Sequence, residues 1–415
     1  MTVTFVTSSY PRFPGDTIAT FMEPIATGIA SLGHDVHIVA PWTPRWNRSA
    51  RDGRLTFHLY RYAPTEGLNT FGYATSMRAD VRLRLSAVAV APLALAAGWR
   101  ETRRVVRRTR SALVHAHWVI PGGVVGAAAA GRRPLLISLH GSDVFVAERH
   151  RLAGTAARAA FSRAAWVTAC SADLRDRAVR LGAHPDRTTV IPYGVDTARF
   201  NRSAALGTDT RTRLGIPPDA PILFTLGRLV EKKGFVHLID AVPQLSREFP
   251  GLRLLIGGTG DLEPALRERA ASIGVAPRVT FLGNVPHDEV PALLSAADVA
   301  VVPSVRDDAG NVDGLPNTVM EIMASATPLV ATTAGGIGAV VEDGVTARVV
   351  PERDADALAG TIADLLRRPS LASEIGARAR AVACRDHSWD RVARSFDAIY
   401  RAMATPTTRA GAPQS

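Results

Sequence analysis

The chain has 415 residues, 47% of them hydrophobic, with a formal net charge of +11 and only two cysteines. This length exceeds what one hydrophobic core usually supports, so two domains are expected, and the apolar content excludes a disordered chain. Cys170 and Cys384 cannot build a disulfide framework or a metal cluster, which suits a reducing cytoplasm, and the arginine-dominated charge comes without a recognition motif or stacking platform for nucleic acid.

In chain order, Val3–Thr7 reads as a strand, followed by a loop holding Gly15 and Asp16, a helix to about Leu32, and the strand Val36–Ala40. This βαβ opening predicts a parallel sheet. The first strand has none of the charged and apolar regions of a signal peptide. The Gly15 loop reads either as an edge of a ligand site or as a plain surface loop, since no G-x-G-x-x-G follows the strand. Thr56–Tyr62 is a further strand. Ser86–Gly98 is apolar and alanine-rich but broken by Pro92, and too short for the ~20 residues that span a bilayer. Arg100, Arg103, Arg104, Arg107 and Arg108 then recur on one helical face, with Val105 and Val106 off it. Such a face docks on anionic lipid or is simply solvated; both readings are open.

The strand Leu113–Ala116 carries His115, read as a packed residue, with His117 close behind it. Leu135–Leu139 is a buried strand that ends in His140-Gly141-Ser142-Asp143. A His and an Asp at the carboxyl edge of a parallel strand lie where such sheets bind substrates. Trp166–Ala169, Ala172–Leu181 and Thr189–Tyr193 continue the alternation, and the polar run Asn201–Thr212 reads as a linker.

The second half opens with the strand Ile222–Leu226, then Gly227-Arg228, then Lys232-Lys233-Gly234. Arg offers a planar fork and Lys a point charge, a combination suited to two phosphates. The alternative, two surface cations, leaves unexplained why the only two lysines of the chain stand here. Strands follow at Leu252–Gly257 and Arg278–Leu282, the latter running into Gly283-Asn284-Val285-Pro286. Asp298–Thr333 then reads as strand, polar loop, helix and strand. The helix starts at Pro316, which leaves the amides of Gly314, Leu315, Asn317 and Thr318 open to an anion. Asp313 stands at the entrance, and Glu321, one turn in, leans back toward the same place. A phosphate-binding end flanked by two carboxylates suits a nucleotide sugar. Asp307-Asp308 reads as a solvated acidic loop, not a metal pair. Trp389–Met403 is an amphipathic helix, and the tail from Thr405 is expected to be disordered.

Asp313 and Glu321, with seven residues between them, and the small-residue run and Pro328-Leu329-Val330-Ala331 that follow, resemble the signature of the family-4 retaining glycosyltransferases, glycosyl transferases group 1. His140-Gly141-Ser142-Asp143 is similar to the family's His-Gly-x-Asp element, and Ile191–Asp196 with Phe200 to its closing phrase for the first domain. The chain departs from the pattern in having Asp313 for the usual Glu, Thr327 for the usual Gly, and Gly15 alone where a Gly-Gly pair is common. The resemblance covers residues 1–403. It implies an α/β protein of two doubly wound Rossmann-like domains facing across a cleft (GT-B). These would be 1–200 on the acceptor side, 201–386 for the donor, and a helix at 387–404 crossing back, ahead of the tail 405–415.

The same resemblance implies metal-independent transfer, without a cofactor, from a UDP- or GDP-sugar to an acceptor hydroxyl in polysaccharide, glycolipid or glycoside synthesis. The acceptor could be lipid-linked, with the Arg100–Arg108 face meeting the inner face of a membrane. The residues implied in catalysis are His140, Asp143, Arg228, Lys233 and Asp313. Arg228 and Lys233 would grip the diphosphate, Asp313 the transferred sugar and Glu321 the ribose. Gly283, Asn284 and Val285 would lie along the base, and Gly15, Gly227, Gly314, Leu315, Pro316 and Asn317 would complete the donor contacts. Two rival readings stay open: a nucleotide-sugar 2-epimerase on the same fold, which needs further acid/base residues, and a noncatalytic basic protein binding membrane or nucleic acid.

Overall fold

The computed structural model describes residues 1–404 except 17, 64, 70–71, 74–76, 79–81, 84 and 309, with the side chains of 67, 77–78, 82–83 and 85–88 also outside the description. The expected disorder of 405–415 therefore falls outside the described residues. Two sheets organise the chain. The first runs Thr188–Val190, Trp166–Ala169, Leu135–Leu139, Leu113–His117, Thr2–Val6, Asp35–Pro41, Leu55–Tyr60 and Arg51–Asp52, parallel except at the last pairing. The second runs Val279–Gly283, Arg253–Gly257, Ile222–Leu226, Val299–Val302, Leu329–Ala331 and Arg348–Val349, parallel throughout.

Strands covered by helices on both faces must be apolar along their whole length. Val299–Val302 is apolar and buried throughout; Leu113–His117 and Leu135–Leu139 are buried throughout as well, and their polar members His115, His117 and Ser138 are hydrogen-bonded. In the first sheet, Thr2–Val6 has Asp35–Pro41 on one side and Leu113–His117 on the other. In the second, Ile222–Leu226 sits between Arg253–Gly257 and Val299–Val302. These are the points where strand order reverses, and the crevices beyond their carboxyl ends are where open α/β sheets bind ligands.

Two expectations are corrected. Ser86–Gly98 and the arginine stripe form one helix, Leu85–Arg108, with Pro92 inside it. Val90, Ala94, Val105 and Val106 are buried along its length, so packing on one side holds the helix through the proline. The run read as a linker contains the helix Ala204–Arg213, started by Ser203, whose Oγ accepts from the Leu206 amide. Only Gly207 and Thr210 of that helix are buried, which is why its sequence looks like a solvated segment.

The last helix, Trp389–Ala404, buries Val392, Phe396, Ile399 and Tyr400 in the same cluster as Met22, Ile25 and Ile29 of the first domain. His34 Nε2 lies 2.9 Å from Asp397 Oδ1, and His115 Nδ1 2.7 Å from Tyr400 Oη. Among the described residues no helix is long and apolar enough to cross a membrane.

Candidate functional site

The two crevices face one another, and between them lies a cavity of about 440 Å³. Its first-domain wall comes from the loop after Thr2–Val6, the turn at Trp118–Pro121 and the segment His140–Asp143. Its second-domain wall is built from Arg228, Lys232, Lys233 and Val312–Asn317.

The strand Leu135–Leu139 delivers His140 to the cavity edge, but the ring is fully engaged. Its Nδ1 lies 2.7 Å from Tyr193 Oη, and its Nε2 lies 3.1 Å from His117 Nδ1. Phe21 and Trp118 pack on it with ring centroids 4.6 and 4.7 Å away. Burial, and then the neighbouring His117, hold His140 well below the ordinary imidazole value, and burial pushes His117 down to about 3. The ring is thus a neutral, hydrogen-bonded part of the cavity wall. Asp143 is likewise occupied. It accepts from the amides of Val119 (2.6 Å), Gly141 (3.0 Å) and His140 (3.4 Å). Burial raises its carboxyl above the ordinary value despite those amides. Asp143, which lines the cavity, braces the Trp118–Val119 and His140–Gly141 turns together.

On the other wall, Ile222–Leu226 leads into a loop that ends in the short turn Glu231–Lys233. Gly234 follows with φ +67°, and a Cβ there would lie 1.9 Å from the Pro303 carbonyl oxygen, so only glycine lets the turn rest on the neighbouring strand end. That close fit points both lysines at Asp313. Lys232 Nζ is 3.0 Å from Oδ1 and Lys233 Nζ is 2.6 Å from Oδ2, with all three side chains largely buried. Burial alone would raise the Asp313 carboxyl, but the two ammonium groups outweigh it and hold the group far below the carboxylate range. Both Asp313 oxygens, expected to meet a sugar, are in ion pairs. Arg228 is exposed on the same cavity.

The helix starts one residue later than expected, at Asn317, because Pro316 has extended backbone (ψ 124°). The first-turn amides still face the cavity end, where the helix dipole favours an anion. Asn317 Nδ2 donates to Thr20 Oγ1 across the cleft (3.3 Å).

Glu321 and Gly15 line a second, adjoining cavity of about 210 Å³, together with Asp16, Phe200, His287 and Trp389. Glu321 Oε1 is 2.9 Å from His287 Nε2. Asp16 is held by Arg12 through Nε (2.6 Å) and Nη2 (2.7 Å), which fixes the Gly15 loop. Gly227, Gly283, Asn284 and Val285 stand at adjacent strand ends and line neither of these two cavities. Gly227 N donates to Gly257 O (3.0 Å), Gly258 N to Gly283 O (2.7 Å), and Asn284 is exposed. Asp307 accepts from the Asn311 amide (2.7 Å) and Asp308 pairs with Arg353 (2.9 Å). Among the described residues, no three His, Cys, Asp or Glu are grouped as metal ligands would be. Sequence reasoning missed Lys232, His287, His117 and Tyr193 as parts of this region. Only Lys232 carried a signal, its place beside Lys233 in a chain otherwise without lysine.

Two parallel-sheet Rossmann-like domains, with a cationic, helix-ended cavity between them, define a glycosyltransferase of the GT-B type. The chain belongs to the glycosyl transferases group 1, glycosyltransferase family 4: the Glycosyltransferase Family 4 model matches residues 18–199 and the Glycosyl transferases group 1 model residues 208–382. It is 35% identical, over 261 residues, to the GDP-mannose-dependent alpha-(1-6)-phosphatidylinositol monomannoside mannosyltransferase of Mycolicibacterium smegmatis, which covers 63% of this chain and 68% of that protein. It is 28% identical over 416 residues to the glycogen synthase of Mycobacterium tuberculosis, with 97% and 95% covered. Among solved structures, Anabaena HepE in complex with UDP shares the fold with a TM-score of 0.76 at 20% identity, covering 97% of this chain and 100% of that one. Sucrose-phosphate synthase from Thermosynechococcus elongatus shares it at 0.77 and 21%, with 97% and 98% covered.

Proposed function

We propose that this glycosyltransferase moves a hexosyl group from a UDP- or GDP-sugar to an acceptor hydroxyl, with retention at the anomeric carbon and without a metal. The observation that carries the reading is the convergence of Arg228, Lys232, Lys233 and the start of the helix Asn317–Ala324 on the one cavity that also holds Asp313. Departure of a diphosphate builds negative charge. Fixed cations and amides in a site that excludes water stabilise that charge more than they stabilise the bound donor. Arg228 and Lys233 take the diphosphate, Asp313 the transferred sugar and Glu321 the ribose. The two carboxylates at the cavity, Asp143 and Asp313, are held by amides and by lysines, which supports same-face attack by the acceptor over a covalent enzyme intermediate. A 2-epimerase would need an acid/base group at the sugar, and the engaged ring of His140 does not supply one.

The helix Leu85–Arg108 supports a peripheral place on an anionic membrane, at which a lipid-linked acceptor would be met. Leu93 and Trp99 are exposed on it, as are Arg100, Arg104, Arg107 and Arg108. Incubation with UDP-glucose, GDP-mannose and related donors tests the chemistry. Free nucleotide with a glycosylated acceptor supports transfer, an isomerised sugar nucleotide supports the epimerase, and no turnover with any donor refutes both.

A further inference from the structure

Lys232 and Lys233 are the only lysines of the chain, and both close on the same carboxylate, one ammonium to each oxygen. Their surroundings differ. The Lys232 carbonyl accepts from the Val305 amide (2.9 Å), so its backbone is tied to the loop after Val299–Val302. The Lys233 stem lies against Gly227, its Cε 3.2 Å from where a Cβ of that glycine would be, and so runs beside Arg228. Both lysines line the cavity; Lys233 is the one whose stem runs beside Gly227-Arg228, and Lys232 the one whose backbone is tied to the loop after Val299–Val302.

On the reading that the donor carries a diphosphate, we propose that Lys232 is a positioning residue. It holds Asp313 through Oδ1 while the arriving diphosphate draws Lys233 off Oδ2, so the carboxylate opens to the sugar hydroxyls only once phosphate is in place. The reason is the asymmetry of buried ion pairs. Removing one partner strands the other charge away from water, at a cost larger than the pair was worth. With Lys233 as its sole partner, Asp313 would be stranded each time a donor bound. With Lys232 behind it, Asp313 stays paired, and the second ammonium is free to exchange.

The test is calorimetry with UDP and with GDP on the full-length wild type, Lys232→Gln, Asp313→Asn and the double variant. Lys232→Gln should weaken the bound nucleotide ~10-fold or more, since Lys233 must then leave an otherwise unpaired carboxylate. The double variant should bind within ~3-fold of Asp313→Asn alone, because without the carboxylate Lys233 needs no stand-in. A loss that persists undiminished in the double variant would mean that Lys232 touches the phosphate itself, and the proposal would fall. Unchanged binding in Lys232→Gln would also overturn it. Should Lys232→Gln not fold, the double variant, which removes both charges together, still decides against Asp313→Asn: equal affinity supports the proposal and a ~10-fold loss refutes it. Failure of the wild type to bind either nucleotide would instead sink the donor reading, and this inference with it.

Discussion

Gly314 faces Cys170 across the cleft so closely that a methyl group on it would lie 2.7 Å from the sulfur and 3.3 Å from the His140 carbonyl oxygen. The two domains thus meet at bare backbone against a buried thiol, directly beside Asp313. Burial pushes that thiol up to about 12, so it acts through its size and not as a nucleophile. Gly314→Ala should hold the domains apart and lower turnover ~10-fold or more, since misplacement of about 1 Å at a reacting centre can cost ~10²-fold. Cys170→Ala should restore much of that loss in the same chain. A double variant as slow as Gly314→Ala alone would show that contact with the sulfur is not what makes glycine necessary.

On the proposed reaction, Lys233→Ala removes an ammonium from the place where charge grows as the diphosphate leaves. Turnover should fall by ~10²-fold or more, with a smaller change in donor affinity. Lys233→Arg should recover little, because a planar fork cannot replace a compact charge held 2.6 Å from Asp313. Near-normal kcat in the alanine variant would take Lys233 out of the chemistry.

The proposed roles divide the donor between Asp313 and Glu321. Loss of a charge-assisted hydrogen bond is worth about 1.5–3 kcal/mol. Glu321→Gln should therefore weaken the bare nucleoside diphosphate as much as the intact donor, and His287, 2.9 Å from Glu321, should share in the loss when changed to alanine. Asp313→Ala should leave the bare nucleotide bound as well as before but weaken the intact sugar nucleotide or slow its transfer. Calorimetry with both ligands separates the two roles, and equal losses for both ligands in both variants would refute the division.

Three buried rings give the fold an acid sensitivity. Burial depresses His115, His117 and His140, aided by neighbouring rings at His115 and His140. Below the ordinary imidazole value of about 6.5 the unfolded chain takes up protons that the folded chain refuses. Stability is therefore complete above that pH and declines as pH falls toward the folded values, by up to about 1.4 kcal/mol per pH unit for each ring. Urea unfolding at pH 7.5 and pH 5.5 should show the decline, and equal stability at the two would mean that the cluster protonates within the fold.

The helix Leu85–Arg108 should bring the protein to anionic vesicles. Salt should release it, since exposed charges are screened beyond ~8 Å at physiological ionic strength. Reversing Arg103 and Arg107 to Glu should abolish flotation while leaving the unfolding transition in place. Equal binding to neutral and anionic vesicles would transfer the role from the arginines to Leu93 and Trp99, both exposed on the same helix.

The sequence by itself determined what short-range patterns encode. The apolar runs marked the strands of both sheets, several to the residue, as at Leu135–Leu139 and Ile222–Leu226. The strand–loop–helix around Asp313 and the lysines after Gly227 gave the reading of an anion site, because amide exposure and charge type are local properties. What each side chain does with its atoms was left to the tertiary structure. Lys232 and Lys233 reach Asp313 across eighty residues of chain, and His287 reaches Glu321 from another strand end. The ring of His140 bonds His117 and Tyr193, and Asp143 accepts from backbone amides, partners that no local pattern at either cavity-lining position announces. The proline and the change from apolar to basic made Leu85–Arg108 look like two pieces, and packing along one side joined them. A buried polar atom takes whichever partner the packing of distant segments brings within about 3 Å, and no spacing in the sequence encodes that distance.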